Sequence, residues 1–441
     1  MKASIYLRIL IPFGQETIAT KIRQSSRFDQ YFARRSTFAP PLHRPMYDHI
    51  SQFEPLLPAP DKRDALLEKA HHLQQLAHAA QGQAHASVME VLAPMLRAMN
   101  SYYTNRIEGQ HTLPAEIEQA LRKDFAADPD TRRRQHLAVA HMATEAWAAE
   151  HTAQTDWPNL FEPSVVQVLH QHLFSQLPPA DLQGEQGELL VPGAWRTRDV
   201  SVGGHVAPRA KALPLFMSRF AEVYGRTRAG ELAVVAVAAA HHRLAWVHPF
   251  IDGNGRVARL HSHLLLQGLG LTRGLWSPLR GMARSQARYY ELLAQADLHR
   301  RNDLDGRGNL SEEGLVKFCD YFLDICIDQA RFMSELLNMQ TMKARLAACL
   351  AFEASREGAG IRMEALAPLH YLFLGGPMER GAFKAMTGLS ARTADRLLAA
   401  LIERHLIASD TPKGAIRFAV PLHALRFYFP ALWPEAEAGA H

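Results

Sequence analysis

Polar and apolar positions repeat along most of the chain with the spacing of amphipathic helices. From Asp61 to about Ala149, Ala, Leu, Gln and Glu recur at three- and four-residue intervals, which predicts several helices of good length. Residues 211–226 and 231–247 predict two more. The second of these, ELAVVAVAAAHHRLAWV, is apolar almost all round, as in a helix buried at the centre of a domain. Another helix spans roughly 255–269 and stops near Gly270, and helical spacing continues to about residue 345. The stretch 181–208 breaks this rhythm. Its WRTRDVSV segment alternates and is followed by GG, which predicts a β-hairpin, the sole strand signal in the first 340 residues. Prolines crowd residues 39–60 and mark an extended linker. Residues 1–45 carry little periodicity and read as a loosely packed arm or as sequence upstream of the protein proper.

The last hundred residues follow a different plan. MEALAPLHYLFL is a helix stopped by GG, ERGAFKAMTG is a short second helix, and SARTADRLLAALIERHLI is a third with Ser390 as its N-cap. SDTPKGAIRFAVP then supplies a turn and a short strand pair. Helix, turn, helix and wing in this order are the winged-helix pattern.

Composition narrows the class. The chain has 441 residues, enough for two or three domains, and its 47% hydrophobic and 21% charged content is that of a globular protein. A formal net charge of +5 permits an acidic partner without demanding one. Cys319, Cys326 and Cys349 form neither a disulfide framework nor a CxxC pair, which suits reduced thiols in the cytoplasm. No apolar run reaches the length of a membrane span, and the N-terminal MKASIYLRILIPFG lacks the long apolar core and cleavage site of a signal peptide.

Candidate chemistry concentrates at residues 248–259, HPFIDGNGRVAR. A buried helix ends near Val247, and Pro249 prevents its simple continuation. Gly253 and Gly255 allow a tight turn and keep side chains away from an approaching group. The helix that starts at about Gly255 points free backbone N–H groups and its positive dipole end out of this loop, which makes an anion site. Arg256 and Arg259 add charge-assisted donors on the first turn. Asp252 beside an anion implies a bridging cation, and Mg²⁺ is held by a carboxylate together with phosphate oxygens. His248 can take a proton near neutral pH. Phosphate, metal and base together suggest phosphoryl or nucleotidyl transfer.

These twelve residues match, without a departure, the HPFxDGNGRxxR signature of Fic-domain proteins, and the chain resembles that family over roughly residues 85–340. The resemblance implies a mostly helical enzyme that transfers AMP from ATP to a Ser, Thr or Tyr hydroxyl of a target protein, with Mg²⁺. It implies His248 as general base, Asp252 as the Mg²⁺ ligand, Gly253, Asn254 and Gly255 as the anion hole, and Arg256 as the phosphate grip. Arg259 takes the terminal phosphate or a regulatory partner, and Phe250 plugs into the core. It makes the hairpin at 193–207 a flap that pairs with the target's main chain, with Arg196, Val200 and Val202 as contacts. In RGMARSQARYYELLAQAD (280–297), Tyr290 is the candidate neighbour of the nucleobase, and Asp297 stands where the family usually has an asparagine. Upstream, TNRIEG (104–109) resembles the Ser/Thr-x-x-x-Glu-Gly/Asn pattern of an inhibitory helix. There Glu108 would pair with Arg259 and take the place of the γ-phosphate.

Other signals are weaker. HH at 241–242 and HSH at 261–263 do not put two imidazoles on one helical face, so they do not suggest zinc. DLDGRGNLSEEG (303–314) lacks calcium-loop spacing and reads as an interhelix loop. In the C-terminal unit Arg392, Arg396, Lys413 and Arg417 could meet DNA phosphates, but Asp395, Glu403 and Asp410 offset them, which favours target docking or assembly over DNA binding. The organisation predicted is therefore an arm and linker at 1–60, a helical region with the inhibitory helix at 61–150, a Fic core at 151–344 and a winged-helix unit at 345–441. Self-modification and a homodimer are compatible with it. The alternatives to AMP transfer are another nucleotide or phosphate donor on the same fold, AMP removal, and a DNA-binding regulator.

Overall fold

The computed structural model describes residues 46–83, 85–182, 188–227, 230–358 and 360–432. The arm expected at 1–45 lies outside them. The fold is mostly helical. Helix α1 (Asp64–Gln81) buries Leu66, Ala70, Leu73, Ala77 and Ala80. That apolar stripe packs along α11 (Glu312–Leu336). Lys69 at the edge of the pair reaches Asp320 and Asp324. Helix α2 (Ala86–Ile107) runs against α4 (Pro129–Thr152) and α9 (Leu279–Arg284), with the short α3 (Pro114–Leu121) between α2 and α4.

At the centre lies α7 (Glu231–Val247), buried without interruption from Ala233 to Leu244, as its all-round apolar sequence requires. Around it pack α6 (Leu213–Gly225), α8 (Asn254–Gly268) and α11, while α5 (Pro163–Ser175) lies on α8. Helix α10 (Gln286–Ala296) follows α9 and rests on α11. No helix among the described residues is long and apolar enough to cross a membrane.

Residues 46–60 are not an extended linker. Phe53 and Leu56 are buried, the Arg243 guanidinium donates to the Pro55 carbonyl at 2.7 Å, and the Leu310 N–H donates to Glu54 O at 3.0 Å. The prolines here fix a strap whose Pro55 carbonyl accepts two hydrogen bonds from a buried arginine.

The hairpin is shorter than its alternation predicts. Only β1 (Ser201–Val202) and β2 (His205–Val206) pair, in the register Ser201↔Val206, across Gly203 and Gly204. Residues 195–200 stay outside the ladder because the inward side chain there is Arg196, which bonds carbonyls of neighbouring loops instead.

The C-terminal elements are α12 (Met339–Ala354), α13 (Leu366–Gly375), α14 (Arg380–Met386), α15 (Ala391–Glu403), β3 (Ile407–Ala408), β4 (Arg417–Phe418) and α16 (Leu422–Tyr428). The break after α11 falls at Leu337–Asn338, so residue 345 lies inside α12. Ser390 occupies the N-cap of α15, but its hydroxyl meets that of Thr393 and caps no backbone amide. Leu397, Leu401, Phe383, Phe373 and Phe418 form the core of this unit, and the buried carboxylate of Glu353 pairs with the partly exposed Arg404.

Candidate active site

The loop between α7 and α8 is built by its own sequence. His248 ends α7 in the left-handed region (φ 50°), with its N–H still bonded to the Leu244 carbonyl. Pro249 turns the chain away, and Phe250 is fully buried. Asn254 closes the loop: its amide accepts from the Phe250 N–H and donates to the Phe250 carbonyl, each at 2.9 Å. Its side chain is thereby committed to the loop, and only its backbone faces the helix end. Gly253 (φ 79°) is the N-cap of α8, and its N–H donates to Asp252 Oδ1. Residues 254 and 255 therefore begin the helix with amides that have no intrahelical acceptor.

A carboxylate occupies this helix end. Glu108 is the C-cap of α2, followed by Gly109 in the left-handed conformation (φ 73°). Its Oε1 lies 2.6 Å from where a Cβ on Gly255 would be, and Arg259 Nη1 lies 3.1 Å from that point. The missing side chain at Gly255 is what lets an anion sit against the backbone. Arg259 is buried and pairs with Glu108 through Nη2, while its Nε donates to the Thr104 hydroxyl at 2.8 Å. Thr104 and Glu108, one turn apart, thus bind one guanidinium together. Burial alone would raise the Glu108 pKa, but the charges of Arg259 and Arg256 outweigh it and hold the carboxyl below its ordinary value. Conversely, burial works against the charged form of Arg259, yet Glu108 raises its pKa.

Arg256 is buried too. Its guanidinium approaches Gln110 Oε1 at 3.4 Å and lies 5.9 Å from the Phe174 ring, and its Nε has no partner among the described residues. Tyr290 donates its hydroxyl to the Ile107 carbonyl at 3.0 Å, joined there by Gln286 at 2.7 Å. It therefore holds the end of α2. Tyr289 is fully enclosed and shares a hydrogen bond with His241.

His248 is kept neutral. Burial, then the nearby charges of His205 and Arg196, lower its pKa to about 4. The flap lies beside it. The Arg196 N–H donates to the Pro249 carbonyl at 2.9 Å, and its side chain donates to the carbonyls of His248, Arg198, Pro208 and Val247. At 2% exposure Arg196 is a brace under the flap and has no surface to offer a target, which corrects its expected contact role. Val202 is half exposed and Val200 partly covered, with Val200 O bonded to the Ala207 N–H.

Asp252 is a single, half-exposed carboxylate at the loop, and no cluster of three His, Cys, Asp or Glu is found among the described residues. This donor set fits a Mg²⁺ ion held by one carboxylate and completed by phosphate oxygens and water, rather than a protein-caged metal.

Three residues were invisible as site components in the sequence. Gln110 has no pattern to betray it. His170, in VLHQHLF, looks like any histidine on an apolar helix. His205 in the flap bonds the Trp246 carbonyl at 2.8 Å and faces Asp297 at 3.4 Å. Asp297, expected near the nucleobase, is instead held by His242 at 3.1 Å and by this flap histidine.

Comparison with known proteins bears on the same loop. The Fic/DOC family model matches residues 160–266. A protein adenylyltransferase Fic of Drosophila persimilis is 38% identical over 106 residues, 24% of this chain and 20% of that protein. The protein of the same name from Drosophila melanogaster is 36% identical over 106 residues. The chain spans about a fifth of the length of these curated relatives. Among solved structures, a Fic family protein from Desulfovibrio desulfuricans has a TM-score of 0.48 at 18% identity, covering 81% of this chain and 97% of that one. Fic-1 from C. elegans has a TM-score of 0.45 at 15% identity, covering 72% and 78%. The segment that matches the Fic/DOC family, residues 160–266, carries the loop from His248 to Arg259.

Proposed function

We propose that this protein is an adenylyltransferase that moves AMP from ATP to a Ser, Thr or Tyr hydroxyl of a target protein, and that Glu108 holds it inactive. One observation carries this reading: an internal carboxylate sits at the amide-rich start of α8 and pairs with Arg259, where an incoming polyphosphate would lie. The Drosophila relatives, each a protein adenylyltransferase Fic, support the same chemistry.

With Glu108 withdrawn, the first amides of α8, Arg256 and Arg259 would bind the phosphates. Asp252 would hold Mg²⁺, which supplies charge neutralisation on the phosphate oxygens. His248 accepts the proton of the target hydroxyl as its oxygen forms a bond to the α-phosphorus. The bond from that phosphorus to the bridging oxygen breaks, and pyrophosphate leaves. A base must be unprotonated to do this, and the depressed pKa of His248 supplies that form at neutral pH. The exposed flap edge near Val202 would pair with the target's main chain.

The remaining organisation belongs to this proposal: a helical region carrying the brake, a Fic core, and a C-terminal winged-helix unit that docks a protein. Lys384, Arg404 and Arg417 of that unit pair with Asp395, Glu353 and Asp410, which leaves a small basic excess for DNA.

The test is mass spectrometry of purified protein incubated with ATP and Mg²⁺. Wild type should stay unmodified and Glu108→Gly should gain AMP on itself, while Glu108→Gly carrying His248→Ala should not. A gain of a different group would name another donor, and no gain in any variant would remove the reading.

A further inference from the structure

We propose that His170 is a positioning residue that ties the flap to the phosphate loop, an inference that rests on the transfer reaction proposed above. His170 sits on α5 and is 1% exposed. Its Nδ1 accepts the N–H of Gly193, at the base of the flap, at 2.8 Å. Because an amide can only donate, Nδ1 carries no proton. The proton is on Nε2, which donates to the Asp252 carbonyl at 3.2 Å. The ring also stacks on Phe250, centroids 3.9 Å apart and planes 11° from parallel, and packs on Phe174.

The contacts of Phe174 extend this arrangement. A Cβ on Gly253 would come within 2.4 Å of the Phe174 ring, so this ring sets how closely the N-cap of α8 approaches α5. One neutral imidazole thus fixes the flap base, the backbone of Asp252 and the plug Phe250 at once. Accepting on Nδ1 while donating from Nε2 fixes a single tautomer of the ring. A misplacement of about 1 Å in such a constellation can cost about a hundredfold in rate.

The test uses the full chain in the Glu108→Gly background. His170→Phe keeps the stacking and loses both polar bonds, and kcat per folded molecule should fall between about tenfold and a hundredfold. His170→Asn retains an acceptor near Gly193 and should recover part of the loss. Side-chain ¹⁵N NMR at pH 7.5 should find the His170 proton on Nε2 and not on Nδ1. Unchanged kcat in the Phe variant, or a ring protonated on Nδ1, would overturn the proposal. If the Glu108→Gly parent transfers nothing, the reaction reading fails, and the NMR signature still decides whether His170 forms this bridge.

A different observation carries a second inference. Helix α2 spans 22 residues, about 33 Å, from its N-cap His85 to Glu108. The His85 ring lies directly on Gly376, where a Cβ would come within 2.5 Å of it, and α2 also touches β4. The same helix therefore meets the C-terminal unit at one end and the phosphate loop at the other. The geometry points to α2 as a coupling rod, through which displacement of the C-terminal unit withdraws Glu108.

This is tested without knowing the natural ligand of that unit. His85→Trp overfills the contact and leaves the left-handed backbone of Gly376 undisturbed, and Gly376→Leu overfills it from the opposite side. Each should raise self-modification by labelled ATP at least about fivefold over wild type, the lower end of ordinary coupling between sites. Neither should add to Glu108→Gly. Folded variants with wild-type activity, or additivity with Glu108→Gly, would overturn the coupling. An inactive Glu108→Gly parent would instead indict the reaction, and nucleotide binding measured by calorimetry would then read the coupling directly.

Discussion

The carboxylate of Glu108 and the guanidinium of Arg259 form an ion pair across the first turn of α8, with Thr104 bonded to the same guanidinium. Arg259 is buried while the Glu108 side chain keeps 29% exposure, so the pair is closed on one side only. Replacing Glu108 by Gly should therefore uncover a positive site that solvent can reach. We expect ATP binding by calorimetry to rise at least about tenfold, since one charge-assisted bond is worth ~1.5–3 kcal/mol. The melting temperature should fall modestly, because a half-open pair stabilises a fold by only about 1 kcal/mol. Glu108→Gln should give intermediate binding: the amide removes the repulsion and keeps the bulk.

Acid should not open the site. The pKa of Glu108 lies below its ordinary value, so the carboxylate stays charged and paired down to pH 5. Wild-type transfer measured at pH 5.5 should be as low as at pH 7.5. In Glu108→Gly the rate should not fall off with the 6.5 midpoint of an ordinary histidine, because His248 stays neutral until the pH approaches about 4. Stability behaves differently. His170, His248 and His261 each have a folded pKa of about 4 against an unfolded value near 6.5. The unfolded chain binds their protons first, so their stabilisation is complete above pH 6.5 and drains away as pH falls toward 4, at up to ~1.4 kcal/mol per pH unit for each proton. Chemical denaturation at pH 7 and pH 5 should expose this loss. Equal stability at the two values would contradict the burial of these rings.

The two motif glycines should fail in different ways. Gly253 combines φ 79° with a Phe174 ring 2.4 Å from its absent Cβ. Gly253→Ala should destabilise the protein by about 1–3 kcal/mol through strain and overpacking. At Gly255 no φ penalty applies, and the nearest atoms are the ends of two flexible side chains, Glu108 and Arg259. Gly255→Ala should melt near wild type. In the Glu108→Gly background it should still lose ATP binding, because the methyl fills the place of the phosphate.

These contrasts also mark how far the sequence was legible. The periodicity of residues 231–247 and 255–269 fixed the central helices, since a buried helix must be apolar all round and its partner along one stripe. The loop between them was readable because glycines, proline and paired charges have few joint uses. Thr104 and Glu108 were readable only through the resemblance of TNRIEG to an inhibitory-helix pattern, since one-turn spacing alone marks any helix end. Arg196 was not: alternation in WRTRDVSV is the same whether the inward arginine faces a target or hooks carbonyls, and only the fold decides. The linker expectation at 46–60 failed for a related reason. Proline density reports a stiff, extended backbone but cannot say whether the core has a buried cation, here Arg243, that needs those carbonyls. His170 and Gln110 are single polar residues whose partners lie far along the chain, beyond any local pattern.

Asp297 offers a last test, because its side chain ties the flap to the core beside the bond from His205 to the Trp246 carbonyl. One oxygen lies 3.1 Å from His242 Nε2 in the core and the other 3.4 Å from His205 Nδ1 in the flap. Burial would raise its pKa, but the hydrogen bond from His242 and the neighbouring charges lower it, so the group stays a carboxylate. Removing it leaves His242 Nε2 with the Leu293 carbonyl alone and loosens the hairpin on the other side. Asp297→Ala should cost about 0.5–1.5 kcal/mol in stability, the net worth of one hydrogen bond. It should also speed amide exchange across 201–206, whereas exchange in α7 should slow or quicken only with global stability. Asp297→Asn keeps an acceptor for His242 and should recover most of the stability. If both variants left flap exchange at the wild-type rate, the flap would be held by Arg196 and by the bond of His205 to the Trp246 carbonyl, without help from Asp297.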